Sequence, residues 1–242
     1  MSPQRTGRRG SRRRQDRDSI TLEGIETLTY NLAPTEVLTE QDIQTVHNAS
    51  MRLLSETGML LIDHAPALEN LKANGAKVDG EMVWIDEDTL MNFVNLAPKT
   101  FTQLARDERN NVPVGGNRII FAPVYGPAFV HDFDQGRRPS TLEDFHNFAK
   151  LVYMTPELHH AGGVLVEPND VHVDERHLDM LMAHMTLSNK AFMGNVIHPD
   201  NARDTVTMSE ILFGKDAIRE NPASLSIVSI SSPMRMDERM LS

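Results

Sequence analysis

The spacing of apolar and polar residues changes character along the chain, with a break near residue 117. Before the break, helical spacing predominates, and Thr39 with the acidic residues after it is typical of a helix start. The Asp79-Gly80 pair within Lys77–Ile85 predicts a β hairpin. The predicted helices are Thr39 to Gly58, Ala65–Asn74, and one that begins at Asp86 and ends before Pro98. We therefore predict a small α/β region over residues 21–116.

After the break, apolar segments of strand length alternate with helical patterns. The predicted strands are Arg118–Val124, Leu158–Glu167, Lys190–Ile197 and Ser224–Ser231. The predicted helices follow Thr141, cover Glu175–Ser188 and Asn201–Phe213, and begin again near Asp237. A further stretch, Ala128–Phe133, turns at Asp134-Gln135-Gly136. Apolar strands separated by helices are typical of parallel βαβ units.

Two of the predicted helices carry apolar stripes that indicate which face packs inward. The stripe of the first is Phe145, Phe148, Ala149 and Val152, and that of the second is Leu178, Leu181, Met182 and Met185. We expect these faces to cover the parallel strands.

The number of strands bears on the fold class. A closed (βα)8 barrel has eight strands and about 250 residues, whereas residues 117–242 hold about four. The fold class that we predict is α/β, a partial (βα)8 TIM barrel preceded by the small α/β region, with residues 117–242 as the truncated first half of the barrel. A complete four-stranded open sheet is the alternative.

Charge is distributed unevenly. The net charge is −10, yet the first 17 residues contain Arg5, Arg8, Arg9, Arg12, Arg13, Arg14 and Arg17. We predict that residues 1–20 form a flexible or oligomer-contacting tail, because no aromatic residues are interleaved for nucleic-acid binding and no apolar core of a secretory signal follows. The acidic remainder argues against nucleic-acid binding.

Composition excludes other classes of protein. No apolar run reaches the roughly 18 residues that a membrane-spanning helix needs, and the chain has no cysteine, which removes disulfides and thiolate metal sites. We expect a soluble cytoplasmic protein.

Active sites of barrel enzymes lie at the carboxyl ends of the strands. The residues at those positions are Tyr125, Glu167, Asn195, His198 and Ser231. Four of them have a structural alternative: Tyr125 in a turn, Glu167 paired with an arginine or capping the following loop, His198 capping the next helix, and Ser231 satisfying backbone groups. We identify no catalytic residue.

Metal and dinucleotide sites find little support in the sequence. His159 and His160 point to opposite sides of a strand and cannot chelate one ion together. The spacings among His172, His177 and His184 differ from the i, i+4 pair of zinc proteases. Gly162-Gly163 lacks the spacing of a dinucleotide-binding loop.

Several segments, in order along the chain, resemble the trimethylamine methyltransferase family. They are Leu38–Ile43, Leu53–Gly58, Ala73–Gly80, Ala97–Phe101, Arg137–Phe145, Arg176–Leu181 and Ser231–Leu241. The resemblance covers nearly the whole chain after residue 30 and consists of many modest matches.

The resemblance implies an enzyme that transfers a methyl group from a methylated amine, such as trimethylamine or glycine betaine, to the cobalt of a corrinoid on a partner protein. No cofactor would be bound directly, and the full-length protein would be a homo-oligomer. A quaternary ammonium needs an aromatic face and a carboxylate, which Tyr125 and Glu167 would supply. A (βα) enzyme of different chemistry and a non-catalytic binding module remain the alternatives.

Overall fold

A computed structural model describes residues 26–33 and 35–241, so the predicted tail at 1–20 lies outside the described residues. The helices are α1 Glu40–Arg52, α2 Ala65–Ala73, α3 Glu87–Val94, α4 Leu142–Met154, α5 Arg176–Leu187, α6 Pro199–Phe213, α7 Lys215–Glu220 and α8 Glu238–Leu241. The strands are β1 Leu28–Thr29, β2 Met59–Leu61, β3 Lys77–Asp79, β4 Met82–Trp84, β5 Thr100–Gln103, β6 Val112–Gly115, β7 Arg118–Ile119, β8 Phe129–Asp132, β9 Gly136–Pro139, β10 Phe192–Met193, β11 Ser224–Leu225 and β12 Arg235–Met236.

The first region is built on a four-stranded sheet in the order β12-β2-β4-β3. The predicted hairpin is confirmed, because β3 and β4 pair antiparallel on either side of Gly80. Leu61, Ala76 and Val83 form the buried core beneath it. Strand β12 pairs parallel with β2, which ties the end of the described chain to this first sheet. The sequence pattern did not predict that pairing.

Helix α1 begins as predicted and has an unusual environment. Thr39 and Asp42 form a capping box, and a π-helical turn at Leu53–Thr57 continues the helix to Gly58. None of the residues of α1 is buried. Its apolar side chains Ile43 and Val46 are exposed, so α1 contributes little to the core.

The region after residue 117 contains segments that run parallel in chain order. The first two are joined where the amides of His159 and His160 donate to the carbonyl of Phe121, at 3.0 and 3.2 Å. Farther along, the Gly126 amide donates to the carbonyl of Val164 at 2.6 Å. Residue numbers increase together on both sides, so the two segments are parallel.

The next two junctions continue the same arrangement. The Ala161 amide donates to the Ala191 carbonyl, and the Met193 amide donates to the Gly162 carbonyl, both at 2.8 Å. Strand β10 then pairs parallel with β11. Four chain segments therefore lie side by side in parallel, and helices α4, α5 and α6 lie between them in the sequence.

Regular strand structure is much shorter than the apolar runs predicted. Of Arg118–Val124, only Arg118–Ile119 is a strand, and it pairs antiparallel with β1. The prolines at 123 and 127 have no amide to donate, which interrupts the ladder. The segment Leu158–Glu167 contains a single parallel bridge and a left-handed Gly162 with φ of 81°. Within Lys190–Ile197 and Ser224–Ser231, the strands are limited to β10 and β11.

An antiparallel hairpin of β5 and β6, not predicted from the pattern, packs against the beginnings of the parallel segments. The fully buried Gln103 makes this junction. Its amide nitrogen donates to the Phe192 carbonyl at 2.7 Å, and its amide oxygen lies 3.1 Å from Nε2 of His160. The predicted turn at Asp134–Gly136 is confirmed as the hairpin of β8 and β9.

Helix α4 is held at both ends. Thr141 and Asp144 form a second capping box, and Arg138, which donates two hydrogen bonds to Asp144, holds the pKa of that carboxyl well below its ordinary value. At the other end, the buried Lys190 ammonium donates to the carbonyls of Val152 and Thr155. Burial lowers the pKa of Lys190 to about 8.

The predicted inward stripe of α4 is largely confirmed, with Phe145, Ala149 and Val152 buried. The stripe predicted for α5 is partly wrong. Leu178 and Met182 are exposed, and the buried residues are His177, Met180, Leu181, Ala183, His184 and Met185. Helix α5 is thus rotated so that two histidines face inward. Hydrogen bonds make their burial possible.

His184 and His160 are buried neutral imidazoles. Nε2 of His184 lies 2.7 Å from the Gly163 carbonyl, and its ring packs between Phe145 and Phe192. Burial lowers the pKa of His184 from 6.5 to about 4. Burial, followed by the neighbouring His184, lowers the pKa of His160 to about 4 as well.

The described residues form a mixed α/β structure of several small sheets, and no closed barrel is present among them. Within the same residues, no helix combines the length and apolar character needed to cross a bilayer.

The two capping boxes allow a direct test of how much each helix stabilises the fold. We expect Thr141→Ala to lower the free energy of unfolding by about 1 kcal/mol, because α4 is part of the core. Thr39→Ala removes the same cap from α1, which has no buried residue, and should cost less than about 0.5 kcal/mol. Urea denaturation measures both values, and equal losses would contradict this difference in packing.

The buried histidines predict loss of stability in mild acid. In the unfolded chain, His184 takes up a proton near pH 6.5, whereas in the folded chain it stays neutral down to about pH 4. Stability is therefore complete above pH 6.5 and falls as the pH approaches 4, by on the order of 3 kcal/mol for this residue. Urea denaturation across this range should show a smaller fall for His184→Gln. The exposed His131→Gln is the control; a His184→Gln profile identical to wild type would refute the assignment.

Candidate functional site

A cavity of about 430 Å³ opens where the second and third parallel segments end and α5 and α6 begin. This is the carboxyl end of the segments, the side on which α/β folds bind ligands. The lining residues are Glu167, Val173, Asp174, Arg176, His177, Asn195, Ile197, His198, Asp200, Asn201, Asp204 and Arg239. The cavity therefore has both carboxylates and guanidinium groups on its walls.

Three of the five residues predicted from the sequence line this cavity: Glu167, Asn195 and His198. Tyr125 and Ser231 are not among its lining residues. The roles proposed for all five in substrate binding stay predictions, and their surroundings differ greatly.

Glu167 is paired with an arginine, as one of the structural alternatives had it. Nη1 of Arg176 donates to Oε2 of Glu167 at 3.3 Å, and Nη2 donates to the Val171 carbonyl at 3.0 Å. Both charged side chains are about three-quarters buried. Because the guanidinium balances its charge, Glu167 presents little net negative charge to a ligand.

Asn195 is buried and shapes the loop into α6. Its side-chain oxygen accepts from the Ile197 amide and from the side chain of Asn201, both at 3.2 Å. Its backbone amide donates to the Thr205 hydroxyl, and that hydroxyl donates to its carbonyl. These bonds fix the wall of the cavity.

His198 is the N-cap of α6, again as its structural alternative had it. Nδ1 accepts from the Asp200 amide at 3.3 Å, and Pro199 occupies the first helical position, as is common at helix starts. The side chain is exposed. His198 lies at the rim of the cavity.

Tyr125 packs its ring against Gly163. A Cβ atom on Gly163 would lie 2.6 Å from Cε2 of Tyr125 and 3.0 Å from Cβ of Met193, so only glycine fits there without displacement. Burial, together with the nearby Glu167 carboxylate, raises the pKa of Tyr125. The aromatic ring is thus near the cavity wall that Glu167 forms, although half of the residue remains exposed.

Ser231 is exposed and forms a tight backbone bridge with Arg235. The amide of each residue donates to the carbonyl of the other, at 2.9 and 2.8 Å. This loop leads directly into β12. The structure therefore places Ser231 in a connection between the parallel segments and the first sheet.

The cavity also contains residues that the sequence pattern did not select. His177 is 4% exposed in its side chain, and its Nε2 lies 2.8 Å from Oδ2 of Asp204 on α6. Nδ1 of His177 is buried without a hydrogen-bond partner in the described chain. The sequence feature that could have pointed to His177 is its position next to the apolar stripe of α5. No sequence feature pointed to Asp204 as a cavity residue.

No group of three or more histidines and carboxylates is placed to hold a metal ion among the described residues. What the cavity does offer is a set of fixed charges of both signs at the carboxyl ends of parallel segments.

Comparison with known proteins connects this architecture to a family. The model of the trimethylamine methyltransferase (MTTB) family matches residues 4–242. The chain is 39% identical, over 206 residues, to glycine betaine methyltransferase of Desulfitobacterium hafniense strain Y51, a match covering 85% of this chain and 43% of that protein.

Two further relatives show the same relationship at lower identity. Proline betaine:corrinoid methyltransferase of Eubacterium limosum is 29% identical over 67% of this chain and 34% of its own length. Trimethylamine methyltransferase MttB of Desulfitobacterium hafniense strain DSM 10664 / DCB-2 is 25% identical over 81% of this chain and 40% of its own. The chain thus spans less than half the length of these relatives. The match to the family model over nearly every residue shows that the chain belongs to the trimethylamine methyltransferase family.

Proposed function

We propose that this chain forms part of an enzyme that transfers a methyl group from a small quaternary amine, of which glycine betaine is the leading candidate, to a corrinoid held by a partner protein. The main support is the 39% identity to a glycine betaine methyltransferase over 85% of the chain. The trimethylamine enzyme is less similar, at 25% identity. The name of the Eubacterium relative supports a corrinoid as the methyl acceptor.

The charges of the cavity favour a zwitterion such as a betaine. Four carboxylates line it, those of Glu167, Asp174, Asp200 and Asp204, together with the two guanidinium groups of Arg176 and Arg239. The excess of carboxylates suits an ammonium group, and the N–H groups of Arg176 and Arg239 that are not used in their pairs with Glu167 and Asp237 suit a carboxylate. A betaine contains both of these groups.

Methyl transfer from a quaternary amine requires the protein mainly to bind and orient the substrate. When the C–N bond breaks, its electron pair stays on nitrogen, so the nitrogen of the departing amine is uncharged and needs no proton. The protein must strip water from the cation and hold one N–CH3 bond toward the acceptor. A corrinoid supplies the nucleophile that accepts the methyl group. Buried walls and an open rim at His198 are consistent with these needs.

For the fold, we propose that the four parallel segments are half of a (βα)8 barrel. Their order, their parallel direction and the helices between them support this, as does the position of the cavity at their carboxyl ends. Ile227, Val228 and Ile230 on the fourth segment are exposed, and they give further strands of a longer family member an apolar surface to pair with. A homo-oligomer and a cytoplasmic location belong to the same proposal.

The activity test mixes this chain with the part of the Desulfitobacterium glycine betaine methyltransferase that lies outside its match to this chain. We expect a stable complex that methylates a reduced corrinoid protein when glycine betaine is added, measured by the change in the corrinoid absorption spectrum. Glycine betaine should react faster than trimethylamine, because a tertiary amine is a poorer methyl donor.

Each half assayed separately is the control, and neither should transfer methyl groups. A soluble complex that transfers no methyl group from any betaine or methylamine would contradict the proposal. In that case a (βα) enzyme of other chemistry or a binding module would be favoured.

A further inference from the structure

The cavity contains four carboxylates, and their surroundings differ in ways that matter for a cation. Glu167 is paired with Arg176 at 3.3 Å, and Asp200 with Arg203 at 2.7 Å. Asp174 is 80% exposed and lies beside His172, so water screens its charge. These three carboxylates are therefore neutralised or well solvated.

Asp204 differs from all three. Within residues 26–33 and 35–241, no lysine or arginine pairs with it, and the side chain that hydrogen-bonds to it is that of His177. The two arginines of the cavity wall are already engaged, Arg176 by Glu167 and Arg239 by Asp237 at 2.8 Å. The Asp204 carboxylate is 43% exposed, so it is partly shielded from water yet open to the cavity.

His177 holds this carboxylate in place. A carboxylate only accepts hydrogen bonds, so Nε2 of His177 carries the proton that Asp204 accepts at 2.8 Å. In the neutral imidazole, the other nitrogen, Nδ1, then carries a lone pair, and this atom is buried without a partner in the described chain. Because a proton on Nδ1 would have no acceptor in the described chain, Nε2 is the nitrogen that donates, and this hydrogen bond orients the carboxylate. The second oxygen of Asp204, Oδ1, accepts no hydrogen bond from the described residues.

We infer that Asp204, oriented by His177, is the carboxylate that receives the quaternary ammonium group of the substrate, in place of Glu167. This inference rests on the proposed function and names the part of the cavity that recognises the cation. Asp204 is a binding residue and His177 a positioning residue. Helix α5 supplies the histidine and helix α6 the aspartate, so their packing sets where the cation lies.

The test measures binding of glycine betaine and of choline, a quaternary ammonium without a carboxylate, by isothermal titration calorimetry. The complex of this chain with the complementing part of the relative is used. We expect Asp204→Asn to weaken the binding of both ligands by at least about tenfold, because both rely on the cation contact. The matched control is Asp216→Asn, an aspartate of α7 that is also paired with an arginine, Arg219, but does not line the cavity; it should change either Kd by less than about threefold.

His177 gives a separate readout. His177→Phe keeps a planar ring but removes the donor, so we expect it to raise Kd and KM for glycine betaine and to leave kcat within about threefold of wild type. Purely structural damage would lower the amount of active enzyme, and with it kcat, at unchanged KM. That pattern would contradict the positioning role.

The outcomes separate this inference from the proposed function. Binding by wild type with an unchanged Kd for Asp204→Asn would overturn the assignment of Asp204 and leave the methyltransferase proposal intact. Absence of betaine binding by the wild-type complex would overturn both. If Asp204→Asn does not fold, NMR titration of wild type decides: the His177 imidazole signals should shift on addition of choline, and unchanged signals under saturating ligand would refute the inference.

Discussion

Helix α5 presents two imidazoles on one face, seven residues apart, and each makes one hydrogen bond to a different part of the fold. His184 bonds to the Gly163 carbonyl of the second parallel segment, and His177 bonds to Asp204 of α6. An unbonded polar group buried at either position would cost about 1–3 kcal/mol. The rotation of α5 about its axis is therefore fixed by these two bonds, and the core and the cavity wall both depend on that rotation.

The packing around Gly163 depends on the same orientation of α5. Gly163 has no space for a side chain because Tyr125 and Met193 pack against it, and its carbonyl is the partner of His184. The core helix, the aromatic ring near the cavity and the second parallel segment thus meet at one residue. Tyr125 is placed by packing against that backbone, as well as by its own turn.

The five residues selected from the sequence were chosen by position at the ends of the predicted strands, and three of them line the cavity. Their surroundings give two of them structural roles. Glu167 is charge-balanced by Arg176, and His198 caps a helix. Asp204, the carboxylate to which we assign the substrate cation, lies within a helix. A rule based on strand ends cannot select such a residue, since it reaches the cavity only through the packing of α6 beside α5.

The sequence by itself determined the local elements that depend on neighbouring residues. The helix starts at Thr39 and Thr141, the Gly80 hairpin, the turn before Gly136 and the helices α5 and α6 follow from residues a few positions apart, and all are present, although α6 begins at Pro199 rather than at Asn201. The order of modest matches also indicated the family that the comparisons show.

Tertiary structure decided what depends on residues far apart in the chain. The pairing of β12 with β2 and the insertion of Gln103 beside Phe192 join segments separated by many residues, and no local pattern encodes such pairings. The orientation of α5 was misjudged because hydropathy counts histidine as polar, whereas its two hydrogen bonds make its burial favourable. The strand lengths were overestimated because prolines and a left-handed glycine interrupt the backbone ladder where the side chains remain apolar.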